Sequence, residues 1–344
     1  MNNFTAQIPS DFNTLVNEIT HIGFKRHAAN LLEAVKTNAP FIKKSINALP
    51  VLTGPKAKSA IILSAGPSVH RRNSIKRILQ SRYKGSIIAV DGCYISCLKA
   101  GLIPDFVVSL DPHPTRVVRW FGDPHFEKNS ANDDYFARQD LDVTFRKNSI
   151  EHNKENMEFI NRFAKKTKAI VASCLAFNVV ERLNAAGFDL YWWNPLVDNP
   201  DNSDSLTKKI HQINKLPCIN TGGTVGTAAW VLTATKLKIP EIGLVGMDFG
   251  YYQDTPIEKT QTYYELAERH GSFEGIDKYF LECAFPLTGE KFYTDPTYFW
   301  YRQNFLDLMK KAPHIKTINC TEGGTLFDEH VACQNLDEFL KKHS

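Results

Sequence analysis

Asn220-Thr-Gly-Gly-Thr-Val-Gly-Thr-Ala-Ala-Trp230, followed shortly by Ile242-Gly-Leu-Val-Gly-Met-Asp-Phe-Gly250, decides how this chain folds. The first stretch reads as a small-residue turn opening an Ala-rich helix, and the second as a buried strand ending in a carboxylate. Turn, crossover helix and returning strand form the repeating step of a parallel α/β sheet, in which ligands sit beyond the carboxyl ends of the strands. Glycines at 222, 223 and 226 free the backbone near a helix start, where the dipole favours an anion.

Working outward, short apolar runs alternate with helical spacing from Ser59 onward. Ala60–Leu63, Ser86–Val90, Phe106–Leu110, Ala169–Ala172 and Ile242–Val245 read as strands covered on both faces, and Lys316–Asn319 as a last strand. Residues 74–81, 94–100, 175–186 and 224–237 supply the crossover helices. The spacing before Ser59, broken at Gly23, predicts two or three helices over 11–47. Residues 122–158 and 194–204, rich in Asn, Asp and other polar residues, break the alternation and read as insertions or loops. Helices are expected at 296–311 and 336–341. The expected fold is α/β, a doubly wound, mostly parallel, Rossmann-like sheet with an N-terminal helical cap and a C-terminal α/β extension. The expected division is 1–54 for the cap, 55–330 for a nucleotide-binding transferase domain and 331–344 for a closing helix.

Composition narrows the class. With 344 residues, 43% hydrophobic and 23% charged, the chain can bury a large core. A net charge of +4 from scattered Lys and Arg gives no nucleic-acid footprint, and no apolar run reaches membrane-spanning length. Seven cysteines without a CxxC pair, behind an N-terminus with no signal character, point to a reduced, cytoplasmic protein.

The chemistry-bearing residues lie at predicted strand ends. In Leu63-Ser-Ala-Gly-Pro-Ser68, Gly66 allows close backbone approach, Pro67 fixes a turn, and Ser64 and Ser68 offer hydroxyls to a phosphate or ribose. Without a glycine fingerprint, the same stretch also reads as a plain strand-to-helix turn. Asp91 stands where a carboxylate meets a ribose hydroxyl, or caps the helix that follows. Asp111 and His113, around Pro112, can ligate a metal or a hydroxyl, or form an Asx-Pro turn. Thr221, Gly222, Gly223 and Thr224 are the phosphate candidates. Asp248 can hold a divalent ion or a sugar hydroxyl, and a phenol just beyond it, Tyr251 or Tyr252, can donate to a departing phosphate. Glu322, inside Asn319-Cys-Thr-Glu-Gly-Gly324, and His270 are candidate bases, with a turn-stabilising acid as the plainer reading of Glu322. The chain has no Gly-x-Ser-x-Gly elbow, no His-Glu-x-x-His and no zinc spacing.

In this order, Ser64-Ala-Gly-Pro-Ser68, Ala89-Val-Asp91, Ala100-Gly-Leu-Ile-Pro-Asp-Phe-Val-Val-Ser-Leu-Asp-Pro112, Thr221-Gly-Gly-Thr-Val-Gly-Thr-Ala228, Leu244-Val-Gly-Met-Asp-Phe-Gly250 and Asn319-Cys-Thr-Glu-Gly-Gly324 resemble the MptE-like domain family over roughly 55–330. That family includes archaeal 6-hydroxymethylpterin diphosphokinases and the motility accessory factor glycosyltransferases, whose core is similar to bacterial sialyltransferases. The resemblance implies an activated donor nucleotide on Gly66, Pro67, Ser68, Thr221, Gly222, Gly223 and Thr224. Asp248-Phe-Gly resembles the diphosphokinase branch, whereas the Thr-Glu-Gly-Gly segment and the aromatic region before it resemble the motility factors.

Two transferase readings follow. In the favoured one, a sugar such as a nonulosonic acid moves from a nucleotide-activated donor to a glycan or protein hydroxyl, with Asp248, Glu322 or His270 as base and Tyr251 at the leaving phosphate. In the other, a diphosphoryl group moves from ATP to a pterin alcohol, with magnesium on Asp91, Asp111 and Asp248. A noncatalytic nucleotide- or glycan-binding module is the third reading. Both transferase readings expect the two glycine-bearing turns to share one ligand.

Overall fold

The computed structural model describes residue 4 and residues 8–114, 120–131, 143–260 and 262–344. In chain order the strands are β1 (Ser59–Leu63), β2 (Ser86–Val90), β3 (Phe106–Ser109), β4 (Lys168–Ala172), β5 (Asp189–Leu196), β6 (Cys218–Asn220), β7 (Glu241–Val245), β8 (Tyr251–Tyr252), β9 (Leu281–Ala284), β10 (Lys291–Thr294), β11 (Lys316–Asn319) and β12 (Ala332–Cys333). The helices are α1 (Phe12–Asn38), α2 (Ser68–Arg71), α3 (Ser74–Ser81), α4 (Asp91–Lys99), α5 (Phe126–Ser130), α6 (Val143–Phe163), α7 (Phe177–Ala186), α8 (Leu206–Asn214), α9 (Val225–Thr235), α10 (Tyr263–His270), α11 (Pro296–Lys310) and α12 (Leu336–Lys342).

Two compact units build the chain, and neither is continuous in sequence. One holds Met1–His27, Pro55–Gly85 and Ile239–Ser344, and the other Ala28–Gly54 and Ser86–Lys238. The architecture is the expected α/β, doubly wound and mostly parallel.

In the second unit β2, β3, β4, β5 and β6 pair in sequence order, all parallel. Each step needs a crossover, and right-handed crossovers in one direction stack their helices on one face. The helix α9 leaves β6 and returns across β3 and β2, which covers the other face. Its Ala228, Ala229 and Trp230 are buried, as the Ala-rich sequence requires of a helix pressed on a sheet.

In the first unit β7 lies between β1 and β11, with β12 beyond β11, and every pair is parallel. All five residues of β1 are buried, and Leu63 ends level with Val245. The strands β8 and β9 flank β10 in a separate antiparallel sheet. In β9 the alternation of burial sends Leu281 and Cys283 inward, onto a cluster with Phe12, Phe285 and Phe292.

Three differences from the sequence reading have physical causes. α1 is one helix of 27 residues that runs through Gly23, because a single helical glycine costs only about 1 kcal/mol. The polar stretch 122–158 contains α5 and most of α6, since helices with one buried face tolerate many polar residues; residues 132–142 of it lie outside those described. β5 runs through Asn194 to Leu196 with Trp192 and Trp193 fully buried, so the loop expected from Asn194 starts later. Among the described residues, no helix is long and apolar enough to cross a membrane.

Candidate functional site

In the first unit the chain leaves β1 and turns at once over the end of β7. Ser64 donates its amide to the Val245 carbonyl (2.8 Å), and Gly66 donates to that of Gly246 (2.9 Å). Ala65 and Pro67 are exposed and Gly66 half-buried, so this turn presents its backbone outward. Beneath it the Ser68 hydroxyl donates to Asp248 Oδ1 and lies 2.9 Å from the Tyr252 hydroxyl. Ser68, Asp248 and Tyr252 are all buried, and Asp248 Oδ2 has no hydrogen-bond partner. Burial pushes the Asp248 carboxyl up to about 7, against the bond from Ser68 and the charge of Arg72, which pull it down.

Glycine makes this packing possible. A Cβ on Gly66 would stand 2.0 Å from Asp248 Oδ2, and one on Gly324 would stand 2.3 Å from the Asp248 carbonyl. Gly246 adopts φ +72°, and a side chain there would meet Val69 at 2.2 Å. Around the turn, Arg71 grips Asp254 through two bonds of 2.9 and 2.8 Å and lies 4.0 Å over the Tyr252 ring. Arg72 pairs with Glu290. Arg77 forks onto Glu322 (2.7 and 2.9 Å), whose Oε1 also accepts the Leu336 amide at the start of α12 (2.8 Å). That pairing, set against burial, holds the Glu322 carboxyl below its usual range.

The second unit carries its own polar strand ends. Asp91, buried at the end of β2, accepts the Ser109 hydroxyl (2.7 Å) and the Gly92 amide (2.8 Å). Burial raises this carboxyl to about 7, opposed by the bond from Ser109 and helped by the charge of Asp111. Asp111 and His113 are half-buried, and Asp111 Oδ1 accepts the His113 amide (2.9 Å), an Asx turn around Pro112. At the end of β6, Asn220 accepts the Gly222 amide (3.0 Å) and Thr221 that of Gly223 (3.2 Å). Gly222 and Gly223 adopt φ of +57° and +95°, which explains both residues. Thr224 caps α9 by accepting the Thr227 amide (3.1 Å). Thr224→Ala is expected to cost about 1 kcal/mol in urea unfolding and Thr224→Ser almost nothing; equal losses would show that the cap bond is not what Thr224 supplies.

Residues 29–126 match the family described as 6-hydroxymethylpterin diphosphokinase MptE-like. That match covers less than a third of the chain. Among solved structures, the chain is similar to a MAf glycosyltransferase from Magnetospirillum magneticum AMB-1, with a TM-score of 0.56 and 13% identity over 90% of this chain. It spans 38% of that protein, so the likeness is one of fold. No curated protein matches the chain.

Of the candidates read from the sequence, Gly66, Pro67, Ser68 and Asp248 meet at the ends of β1 and β7. Ser64 is buried beside them, its hydroxyl without a partner. Asp91 and Asp111 stand at the ends of β2 and β3. Thr221, Gly222, Gly223 and Thr224 belong to the second unit, as do Asp91, Asp111 and His113. Tyr251 donates to the buried Asp295 (3.0 Å), and it is Tyr252 that reaches Ser68. His270 is exposed at the end of α10, edge-on to Tyr279. Glu322 is committed to Arg77 and the start of α12. Sequence reasoning missed Ser109 and Asp295, and of the two phenols beyond Asp248 it preferred Tyr251 to Tyr252. Neighbouring residues of a strand point to opposite faces, so the Tyr-Tyr pair carries a signal that one phenol turns inward but not which one. Among the described residues, the side chains that could jointly hold a metal are Asp328, Glu329 and His330, half-buried to exposed and consecutive in sequence.

Proposed function

We propose that the chain is a nucleotide-dependent transferase that moves a sugar, such as a nonulosonic acid, from a nucleotide-activated donor to a glycan or protein hydroxyl. The MptE-like match and the glycosyltransferase fold support this reading. The observation that carries it is the Tyr252–Ser68–Asp248 chain beneath the exposed Ala65–Pro67 turn. In such a transfer the acceptor oxygen bonds to the anomeric carbon, the bond to the donor phosphate breaks, and the nucleotide leaves with its electron pair. The acceptor proton must go to a base titrating near neutrality. Asp248 meets that need, taking the Ser68 proton while Ser68 takes the acceptor's; Gly66 and Pro67, in the same unit, are the donor-binding backbone in this reading. Seven free thiols accord with a cytoplasmic protein.

The test is nucleotide release from CMP-, UDP- and GDP-linked sugars, with and without acceptor hydroxyls. Ser68→Ala is expected to slow release about 100-fold, the scale of a lost proton path. No release from any donor would count against sugar transfer. The family description favours one further reading, diphosphoryl transfer from ATP to a pterin alcohol, with magnesium held by Asp111 or Asp248 and the substrate phosphates. AMP formation that requires both magnesium and dihydropterin distinguishes it.

A further inference from the structure

The arginines that follow the Gly-Pro-Ser turn are satisfied unequally. Arg71 commits both terminal nitrogens to the two oxygens of Asp254. Arg77 engages Glu322 twice and Asp337 through Nε (2.9 Å). Arg72 bonds Glu290 through one terminal nitrogen, while its Nε is buried and has no partner. A buried donor left unmet costs about 1–3 kcal/mol, so Arg72 Nε, like the unpartnered Asp248 Oδ2 and Ser64 hydroxyl of the same site, calls for a reason. The charge of Arg72 also acts on both Asp248 and Tyr252, pulling each group down.

Its partner sits at the edge of the unit. Glu290 closes the β9–β10 hairpin, whose tip from Pro286 to Gly289 is exposed. The Glu290 side chain is 39% exposed. Gly289 next to it has φ +69° and open space around its Cα. This half-buried pair is monodentate and leaves Nε unmet, whereas a guanidinium binds a phosphate best through two parallel donors. A phosphate oxygen pair can take both the terminal nitrogen that Glu290 uses and the Nε that it does not.

We propose that Arg72 is the receptor for the phosphate of the ligand and that Glu290 is an intramolecular stand-in which that phosphate displaces. This deepens the nucleotide-dependent reading of the same site and rests on it. The arrangement gives the site a gate made of charge: the carboxylate lowers affinity for free anions, and only a ligand with further contacts on the Gly66 turn outcompetes it.

Isothermal titration with inorganic pyrophosphate tests the exchange. Glu290→Gln is expected to bind pyrophosphate about tenfold more tightly than the wild type, one charge-assisted contact no longer contested. Arg72→Gln is expected to lose at least tenfold, and the double variant to behave like Arg72→Gln alone. Equal affinity in Glu290→Gln and wild type, or undiminished binding by Arg72→Gln, overturns the proposal. Glu290 is a surface residue, so its variant folds and decides the matter even if Arg72→Gln does not. Nucleotide release is followed in parallel. Pyrophosphate affinities in the expected order without turnover of any donor uphold the anion exchange and overturn the transferase reading. Turnover with an unchanged KM in Glu290→Gln does the reverse.

Discussion

Gly66→Ala is expected to destabilise the protein by about 3 kcal/mol or more and to remove its response to nucleotides, although the substitution adds one methyl group. The methyl would stand 2.0 Å from Asp248 Oδ2 and 2.5 Å from the Gly246 carbonyl. The carbonyl belongs to the backbone and cannot swing away. Asp248 cannot yield either, because Ser68 holds its other oxygen and Gly324 packs on its carbonyl. The turn must therefore lift off the end of β7, breaking the Gly66–Gly246 hydrogen bond and exposing the buried chain to water. Gly101→Ala is the comparison that isolates the cause. Gly101 has φ +87° and nothing near its Cα, so alanine there pays only for a left-handed backbone, about 1–2 kcal/mol. Thermal unfolding of the two variants separates a steric demand from a conformational one; equal losses would sink the claim that close approach is what selects Gly66.

The positions that strand-end logic can reach were legible in the sequence. Continuous apolar runs such as Ala60–Leu63 and Ile242–Val245 permit little besides doubly covered parallel strands, and the residues just beyond them must stand at the sheet's carboxyl edge. Gly66, Ser68, Asp91 and Asp248 were found that way. Side-chain pairing across long sequence separations was not legible. Nothing in Arg77 announces that Glu322, 245 positions away, will be its partner, and so the sequence leaves Glu322 open between a base and a turn-stabilising acid, whereas it pairs with Arg77 and caps α12. Short strands fail for a different reason. β8 has two residues, too few for the alternation that would show which phenol turns inward. β5 was obscured because Asn194 and Pro195 resemble loop residues, yet Asn194 is fully buried and bonds Ser173 (2.6 Å) and Asn214 (2.8 Å). A polar residue whose hydrogen bonds are met inside the fold looks the same in sequence as one that meets water.

Asp248→Asn is expected to cost activity and to gain stability, the gain appearing only as pH rises. The carboxyl titrates near 7 in the folded protein against 3.8 for an unperturbed group. Folding therefore favours its protonated form. The stability linked to this proton is fully present below the unfolded value and is lost as pH rises through about 7, a window worth on the order of 4 kcal/mol. Asparagine has the same shape and keeps an oxygen for the Ser68 hydroxyl but carries no proton to lose. The difference in unfolding free energy between Asp248→Asn and wild type should thus grow in the variant's favour by about 2–4 kcal/mol between pH 4.5 and 7.5. Asp91 is raised similarly but is present in both proteins, so it cancels. Urea unfolding of the two at a series of pH values measures this directly, and parallel curves would falsify the assignment of a buried, near-neutral carboxyl. Turnover should fall by at least about 100-fold across the same range, since the amide can accept the Ser68 bond but cannot receive its proton. A group that destabilises the fold at the pH where it is ionised calls for a use of its ionised form, and the proposed role as a base beneath the Ala65–Pro67 turn supplies one. Stability and activity moving in opposite directions in one variant is what separates this reading from a purely structural one, in which both would fall together.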